Sequence, residues 1–253
     1  MNIRAIALDM DGTLLDAHGS ISGHVIELLA AIRKKGIRIF IATGRTRTEI
    51  NDVLPDNLHV DGFVAANGME CYTELKQIAH YTLDKHMVGD VIAAARKEKL
   101  FYEVHPLRGS RFALAADQKR MAEMVNKEQP ATLLDNEYLS RKKAVKHKIT
   151  WVKELSTDNI VKIYFFSMDT EEISDWKHTL NEMKKQTNFS ISSSSLHNVE
   201  IMAGSVSKAT GINMLLQEYN LSSNELMAIG DGDNDLPMFN LAAYSVAMRN
   251  AED

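Results

Sequence analysis

Ile3-Arg4-Ala5-Ile6-Ala7-Leu8-Asp9-Met10-Asp11-Gly12-Thr13 is apolar in all but one of its first six positions and then turns acidic. A β-strand buried on both faces reads this way when it delivers polar residues at its carboxyl end. The two carboxylates stand two positions apart, so both can face one side of the loop, and Gly12 lets the backbone turn sharply. Such a pair divides labour well. One carboxylate can attack phosphorus as a nucleophile while the other gives a proton to the leaving oxygen and later takes one from water. The rival reading is a solvated loop that happens to be acidic, and what the chain places beside the loop decides between the two.

A helix is expected next. Ser22 caps it, Val25, Leu28, Leu29 and Ile32 repeat at helical spacing, Lys34 and Lys35 suit its negative end, and Gly36 terminates it. Residues 37–42 repeat the first pattern, an apolar strand ending in Thr43-Gly44-Arg45, so a right-handed strand-helix-strand unit is predicted. Residues 62–66 give a third buried strand, closed by Asn67-Gly68, a pair that readily turns the chain. Residues 226–229 give a fourth, running into Gly230-Asp231-Gly232-Asp233-Asn234-Asp235 and a short helix through Leu236, Met238 and Phe239; residues 244–248 give a fifth. The fold class that follows is α/β, with a Rossmann-like parallel sheet. Ligands in such sheets sit beyond the carboxyl ends of the strands, so Asp9, Thr43 and Asp231 are expected to share one crevice.

The middle of the chain has another rhythm. Strands are expected over residues 101–105, 111–115, 148–152, 161–166 and 189–193, among helical stretches. Phe112, Leu114, Tyr164 and Phe166 alternate as a half-exposed sheet requires. The predicted organisation is a core domain over residues 1–82 and 196–253, interrupted by an inserted α+β cap domain over residues 83–195 whose right edge lies in the serine run 192–195.

Composition narrows the chemistry. With 253 residues and 45% apolar content the chain can bury a sizeable core. Its net charge of -5 comes from 29 basic and 34 acidic residues with no long single-sign tail, which predicts no nucleic-acid partner. The basic run 141–148 lacks interleaved aromatics and is read as a solvated face of the cap. Cys71 is the only cysteine, so neither an intrachain disulfide nor a thiolate metal site can form, and a reducing compartment is expected. Apolar runs such as 39–42 and 63–66 fall far short of the roughly 20 residues a membrane helix needs, and the start of the chain carries no leader pattern. A cytoplasmic protein without a membrane partner is predicted. The 13 methionines are scattered and read as packing.

Asp231 and Asp235 bracket a second acidic turn directly after a buried strand. Several carboxylates converging on one point repel each other unless a cation sits among them, and all-oxygen ligands favour a hard ion such as Mg2+. A hand-type calcium loop is the competing reading, and Pro237 with its apolar neighbours breaks that pattern. Thr43 and Gly44 offer a hydroxyl and an unhindered amide suited to a phosphate oxygen. Lys208 opens an amphipathic helix through Ile212, Leu215 and Leu216, near a positive helix end where an anion is favoured, although lysines at helix starts are commonly just solvated.

These four segments, Asp9 to Thr13, Thr43-Gly44, Lys208 and Gly230 to Asp235, resemble in order and context the haloacid dehalogenase-like (HAD) hydrolases. The place of the insertion and the phrases Ala42 to Arg45, Ala66-Asn67-Gly68, Val199-Glu200-Ile201 and Val246-Ala247-Met248 resemble the Cof-type branch with its larger, type IIB cap. The resemblance implies a magnesium-dependent phosphatase acting on a small phosphorylated metabolite, a sugar phosphate or an intermediate of a cofactor pathway. It implies that Asp9 is the nucleophile and Asp11 the general acid and base. Mg2+ would be held by the Asp9 side chain, the Asp11 main-chain carbonyl and Asp231, with Asp235 orienting from behind. The Met10 amide, Thr43, Gly44, Lys208 and Asn234 would bind phosphate. Arg45 and Asn67, with Arg47 and Met69, are substrate candidates on core loops; His105, Arg108 and Arg111 are candidates in the cap. His80 and His86 are read as ordinary residues near the first hinge. Relatives generally run on past Glu252-Asp253, which implies a last element missing or shortened here. A phosphomutase using the same phospho-aspartate, and a non-catalytic metabolite-binding regulator, remain alternatives.

Overall fold

The computed structural model describes residues 2–16 and 19–251, so Glu252-Asp253, where a shortened ending was expected, lie outside the described residues. The chain forms two compact units, one made of Met1–Tyr81 with Val206–Asp253 and the other of Thr82–Ser205.

The first unit is an α/β layer structure. In chain order it contains β1 (Ala5–Leu8), α1 (Gly23–Lys34), β2 (Arg38–Ala42), α2 (Arg47–Asn51), β3 (Gly62–Ala65), β4 (Glu70–Tyr72) and β5 (Gln77–His80). After the second unit it resumes with α7 (Lys208–Glu218), β12 (Leu226–Gly230), α8 (Leu236–Leu241) and β13 (Tyr244–Ala247). The sheet order is β13-β12-β1-β2-β3-β4-β5, parallel from β13 to β3 and antiparallel beyond it.

The alternation along β1 explains why this strand is central. Ile6 and Leu8 enter one core with Leu29, Ile39 and Ile41, while Ala5 and Ala7 enter the other with Phe40, Val64, Ile212 and Leu215. Each fully buried large aliphatic side chain contributes about 1.5–3 kcal/mol, so both faces hold the strand. Ser22 caps α1 as expected, its hydroxyl accepting from the Val25 amide at 3.3 Å. Asp61 ties helix to sheet: it accepts from Arg33 at 3.0 and 3.2 Å, from Arg38 at 2.8 Å and from the Ile39 amide at 2.9 Å. The turn after β3 uses positive φ at Ala66, Asn67 and Gly68. At Gly68 a side chain would meet the Ser207 carbonyl oxygen at 2.2 Å, so glycine lets this turn press against the start of α7.

The second unit holds α3 (Lys85–Lys97), β6 (Phe101–Pro106), β7 (Phe112–Leu114), α4 (Gln118–Val125), α5 (Asp135–Lys143), β8 (Thr150–Val152), β9 (Ile160–Phe166), α6 (Thr170–Lys184), β10 (Phe189–Ser192) and β11 (Asn198–Ala203). Its sheet runs β10-β11-β9-β6-β7-β8. The expected edge at residue 195 falls short because β11 pairs in register with β9, Asn198 opposite Phe166 and Ile201 opposite Ile163. Five consecutive residues of β11 are buried in that sheet, and the serine run is the turn into it.

The half-exposed sheet expected from residues 112, 114, 164 and 166 is also corrected, since β9 is buried along its whole length. Helix α5 covers the Tyr164 side: the Tyr164 hydroxyl donates to Glu137 at 2.9 Å, and the Arg141 guanidinium stacks 4.3 Å from the Tyr164 ring. Arg141 therefore departs from the solvated face expected of 141–148. It is buried and donates to Glu103 at 2.5 Å. No helix among the described residues is long and apolar enough to cross a membrane.

Candidate active site

Four carboxyl ends of parallel strands in the first unit deliver the polar residues. Asp9 follows β1, Thr43 to Arg45 follow β2, Asn67 follows β3, and Asp231 to Asp235 follow β12. The Asp9 amide donates to the Ile229 carbonyl at 3.0 Å, which locks the first loop to the end of β12. Met10 turns its side chain into the core, leaving Asp9 and Asp11 on the other side of the chain. Gly12 lies at φ +82°, and a side chain there would meet Asp231 Oδ2 at 2.0 Å, so glycine lets the Asp231 carboxylate lie against the first loop.

Lys208 enters from α7, whose start is fixed by a reciprocal cap in which Ser207 accepts from the Thr210 amide at 3.4 Å. Its ammonium is wholly buried and donates to Asp9 Oδ1 at 2.5 Å and Asp235 Oδ1 at 2.6 Å. Asp235 Oδ2 accepts from the amides of Asp231 and Gly232 at 2.9 and 3.0 Å, so this buried carboxylate shapes the loop that carries Asp231. Asp231 itself receives the Thr13 hydroxyl at 3.0 Å and the Asn250 amide at 2.8 Å. Asp9, Asp231 and Asp235 each offer a carboxylate oxygen within 4.8 Å of the others.

Charge at the site is unbalanced. Burial pushes Asp9 up to about 7, with Asp235 and Asp11 adding to the rise and Lys208 opposing it. Burial also raises Asp231. Burial alone would lower Lys208, but Asp9 and Asp235 outweigh it and hold the ammonium above its usual value. One lysine thus has more carboxylate than it needs, and the carboxylates have too little cation.

The other expected residues are spread over several places. Arg45 grips Asp11 with Nε at 2.8 Å and Nη2 at 2.6 Å. Asn234 donates to Asn67 at 3.1 Å, joining the loops after β12 and β3. Thr43 is fully buried and its hydroxyl accepts from the Arg45 amide at 3.1 Å; Gly44 is half-buried beside it. Arg47 stacks 4.1 Å from the Tyr72 ring, and Met69 is buried in the core. His105 and Arg111 gather round Glu103 at 3.4 and 2.8 Å inside the second unit, Arg108 bonds the neighbouring Leu107 carbonyl at 2.8 Å, and His80 and His86 are exposed.

Residues 6–253 match the family described as haloacid dehalogenase-like hydrolase. The chain belongs to the haloacid dehalogenase-like hydrolases. Among its relatives, the Bacillus subtilis (strain 168) 5-amino-6-(5-phospho-D-ribitylamino)uracil phosphatase YwtE is 29% identical over 261 residues, covering 99% of this chain and 89% of the relative. A haloacid dehalogenase-like hydrolase from Bacteroides thetaiotaomicron has a similar fold, with a TM-score of 0.79 at 23% identity, covering 99% of this chain and 90% of its own. The HAD subclass IIB sugar phosphatase BT4131 superposes with a TM-score of 0.73 at 22% identity, over 98% of this chain and 88% of its own. The fold of this HAD hydrolase, insertion included, is thus that of the Cof-type branch.

The acidic set of this HAD hydrolase suits a hard divalent cation. Its donors are carboxylate oxygens, their charge exceeds that of Lys208, and the side-chain-free Gly12 leaves the Asp231 carboxylate close to the first loop. Two residues around the set were not assigned a role from sequence. Thr13 ends the quoted motif, and Asn250 lies two residues past the phrase Val246-Ala247-Met248, where its position just beyond the end of β13 was the available signal.

Proposed function

We propose that this hydrolase is a magnesium-dependent phosphatase of a small phosphorylated metabolite, acting through a phospho-aspartate on Asp9. The observation that carries the reading is the Asp9 carboxylate, set against buried Lys208 and within ion-sharing distance of Asp231. Mg2+ held by Asp9, Asp231 and the Asp11 carbonyl would offset the negative charge shared by nucleophile and phosphate.

In the first step an Asp9 oxygen bonds to phosphorus as the ester P–O bond breaks, and Asp11 gives its proton to the departing oxygen. In the second, water attacks phosphorus and passes a proton to Asp11. The bond from phosphorus to Asp9 breaks, inorganic phosphate leaves, and Asp9 returns as a carboxylate. Lys208, held by Asp235, presents positive charge to the phosphoryl oxygens, with the Met10 amide, Thr43, Gly44 and Asn234 completing the cradle. Arg45 and Asn67 border the same loops and are assigned to the substrate side.

The relative named for a phosphoribitylamino-uracil supports a substrate with a phosphorylated polyol or sugar arm. The single buried cysteine supports a reducing, cytoplasmic setting. The test is p-nitrophenyl phosphate turnover with Mg2+, its loss in EDTA, and a beryllium fluoride adduct on Asp9. Asp9→Asn should lower turnover by about 10⁴-fold or more while the melting transition persists. Retained activity in that variant would exclude the covalent route.

A further inference from the structure

We propose that Asn250 is a positioning residue that fixes the Asp231 carboxylate for the divalent cation; this rests on the metal reading of Asp231 given above. The Asn250 Nδ2 amide donates to Asp231 Oδ2 at 2.8 Å and to the Gly12 carbonyl oxygen at 3.1 Å. A side-chain amide carries two N–H groups, and both are used here. Its orientation is dictated by chemistry: both neighbours are acceptors, and turning the amide over would aim oxygen at oxygen.

The backbone delivers Asn250 to this place by regular means. Strand β13 runs parallel to β12, with Ala247 opposite Gly230. The Met248 amide then donates to the Gly230 carbonyl at 2.9 Å, and the Ala251 amide closes a turn on Met248 at 3.0 Å. Asn250 sits in that turn and reaches back over the acidic loops. With the Thr13 hydroxyl on Oδ1 at 3.0 Å and Asn250 on Oδ2, the Asp231 carboxylate is held at both oxygens. Each oxygen keeps lone-pair capacity for an ion, so the two donors set its plane without consuming it as a ligand. By gripping Gly12 as well, Asn250 bridges the loop after β1 to the loop after β12, the two segments that supply the site's acids.

The exposed position of Asn250 separates this role from packing. Removing an exposed amide leaves no cavity, whereas removing a donor behind a metal ligand typically costs 10–100-fold in metal affinity. The probe is Mn2+, a hard divalent ion read by electron paramagnetic resonance titration. Asn250→Ala and the near-isosteric Asn250→Leu are compared with wild type and with Asp231→Asn. Both Asn250 variants should bind Mn2+ about 10–100-fold more weakly, with melting temperatures in EDTA equal to wild type. Mn2+ binding within twofold of wild type, while Asp231→Asn loses it, would overturn the role of Asn250 alone. A fall in the EDTA melting temperature matching the fall with Mn2+ would mark the contact as structural and overturn it too. If Asp231→Asn binds Mn2+ as wild type does, the metal reading fails first and takes this proposal with it.

Discussion

Arg45 and Asp11 form a two-pronged ion pair, yet its contribution to stability is small. The Asp11 side chain is 58% exposed and that of Arg45 29%, and exposed pairs contribute about 0–1 kcal/mol. A planar fork on a carboxylate has a larger effect on direction, because it fixes where both oxygens point. If Asp11 protonates the departing oxygen, that direction matters most for leaving groups that depart poorly. Arg45→Ala should therefore lower kcat on an alkyl phosphate by about 10²-fold and on p-nitrophenyl phosphate far less, with the melting temperature nearly unchanged. An equal loss on both substrates, measured as a kcat ratio, would remove the orienting role. The sequence displayed Asp9, Asp11 and Asp231 because each stands at or just past the end of an apolar run, and Lys208 because it opens an amphipathic helix. It did not display that Lys208 is wholly buried, since a lysine opening a helix looks the same whether it meets water or two carboxylates. Asn250 was equally hidden, because its value lies in a contact with Gly12 far away in the chain.

Asp61 shows how a helix and a strand are fastened by one side chain. It is buried at the end of the connection between α2 and β3, and it accepts from Arg33 on α1, from Arg38 at the start of β2 and from the Ile39 amide. Burial alone would raise its carboxyl, but the Arg33, Ile39 and Arg38 hydrogen bonds win and hold it below its usual value. A carboxyl lowered on folding stabilises the fold at pH values above its unfolded value, and that stabilisation is lost as pH falls through the folded value. Asp61→Asn should cost about 1–3 kcal/mol at pH 7, discounted because both arginines are partly exposed. The gap from wild type should close below about pH 4, as followed by thermal melts across pH. Among the elements, β1, β2, β3 and β12 were legible because short apolar runs that end in turn residues suit strands covered on both faces. Strands β4 and β5 were not, because three or four residues such as Glu70-Cys71-Tyr72 carry too short a pattern. Strand β11 was masked by the serines before it and by charged Glu200, whose partner Lys162, at 3.1 Å, comes from a strand far back in the chain.

The acids, Lys208, Thr13 and Asn250 all belong to the first unit, and the second unit has a hydrophobic core of its own built from Phe101, Phe165, Trp176 and their neighbours. Each unit therefore buries its own apolar surface and is expected to fold without the other's core. Replacing residues 82–205 by a short flexible linker should leave a protein that still melts cooperatively, binds Mn2+ and turns over p-nitrophenyl phosphate. Loss of Mn2+ binding in a cooperatively folded variant would show that the site needs more than the first unit. The interruption was legible as a change in strand rhythm near residue 83, whereas its far edge was not, because the last strand of the insert resembles the core in composition.

Strand β1 is the third strand in its sheet but the first to be synthesised, and its partner β12 emerges from the ribosome more than two hundred residues later. The insert, being continuous, can collapse while the chain is still growing; the surrounding sheet must wait with one apolar edge open. No nascent chain can therefore assemble this site before β12 has emerged, and a product cut short before residue 226 would be both inert and an inviting target for proteases and chaperones.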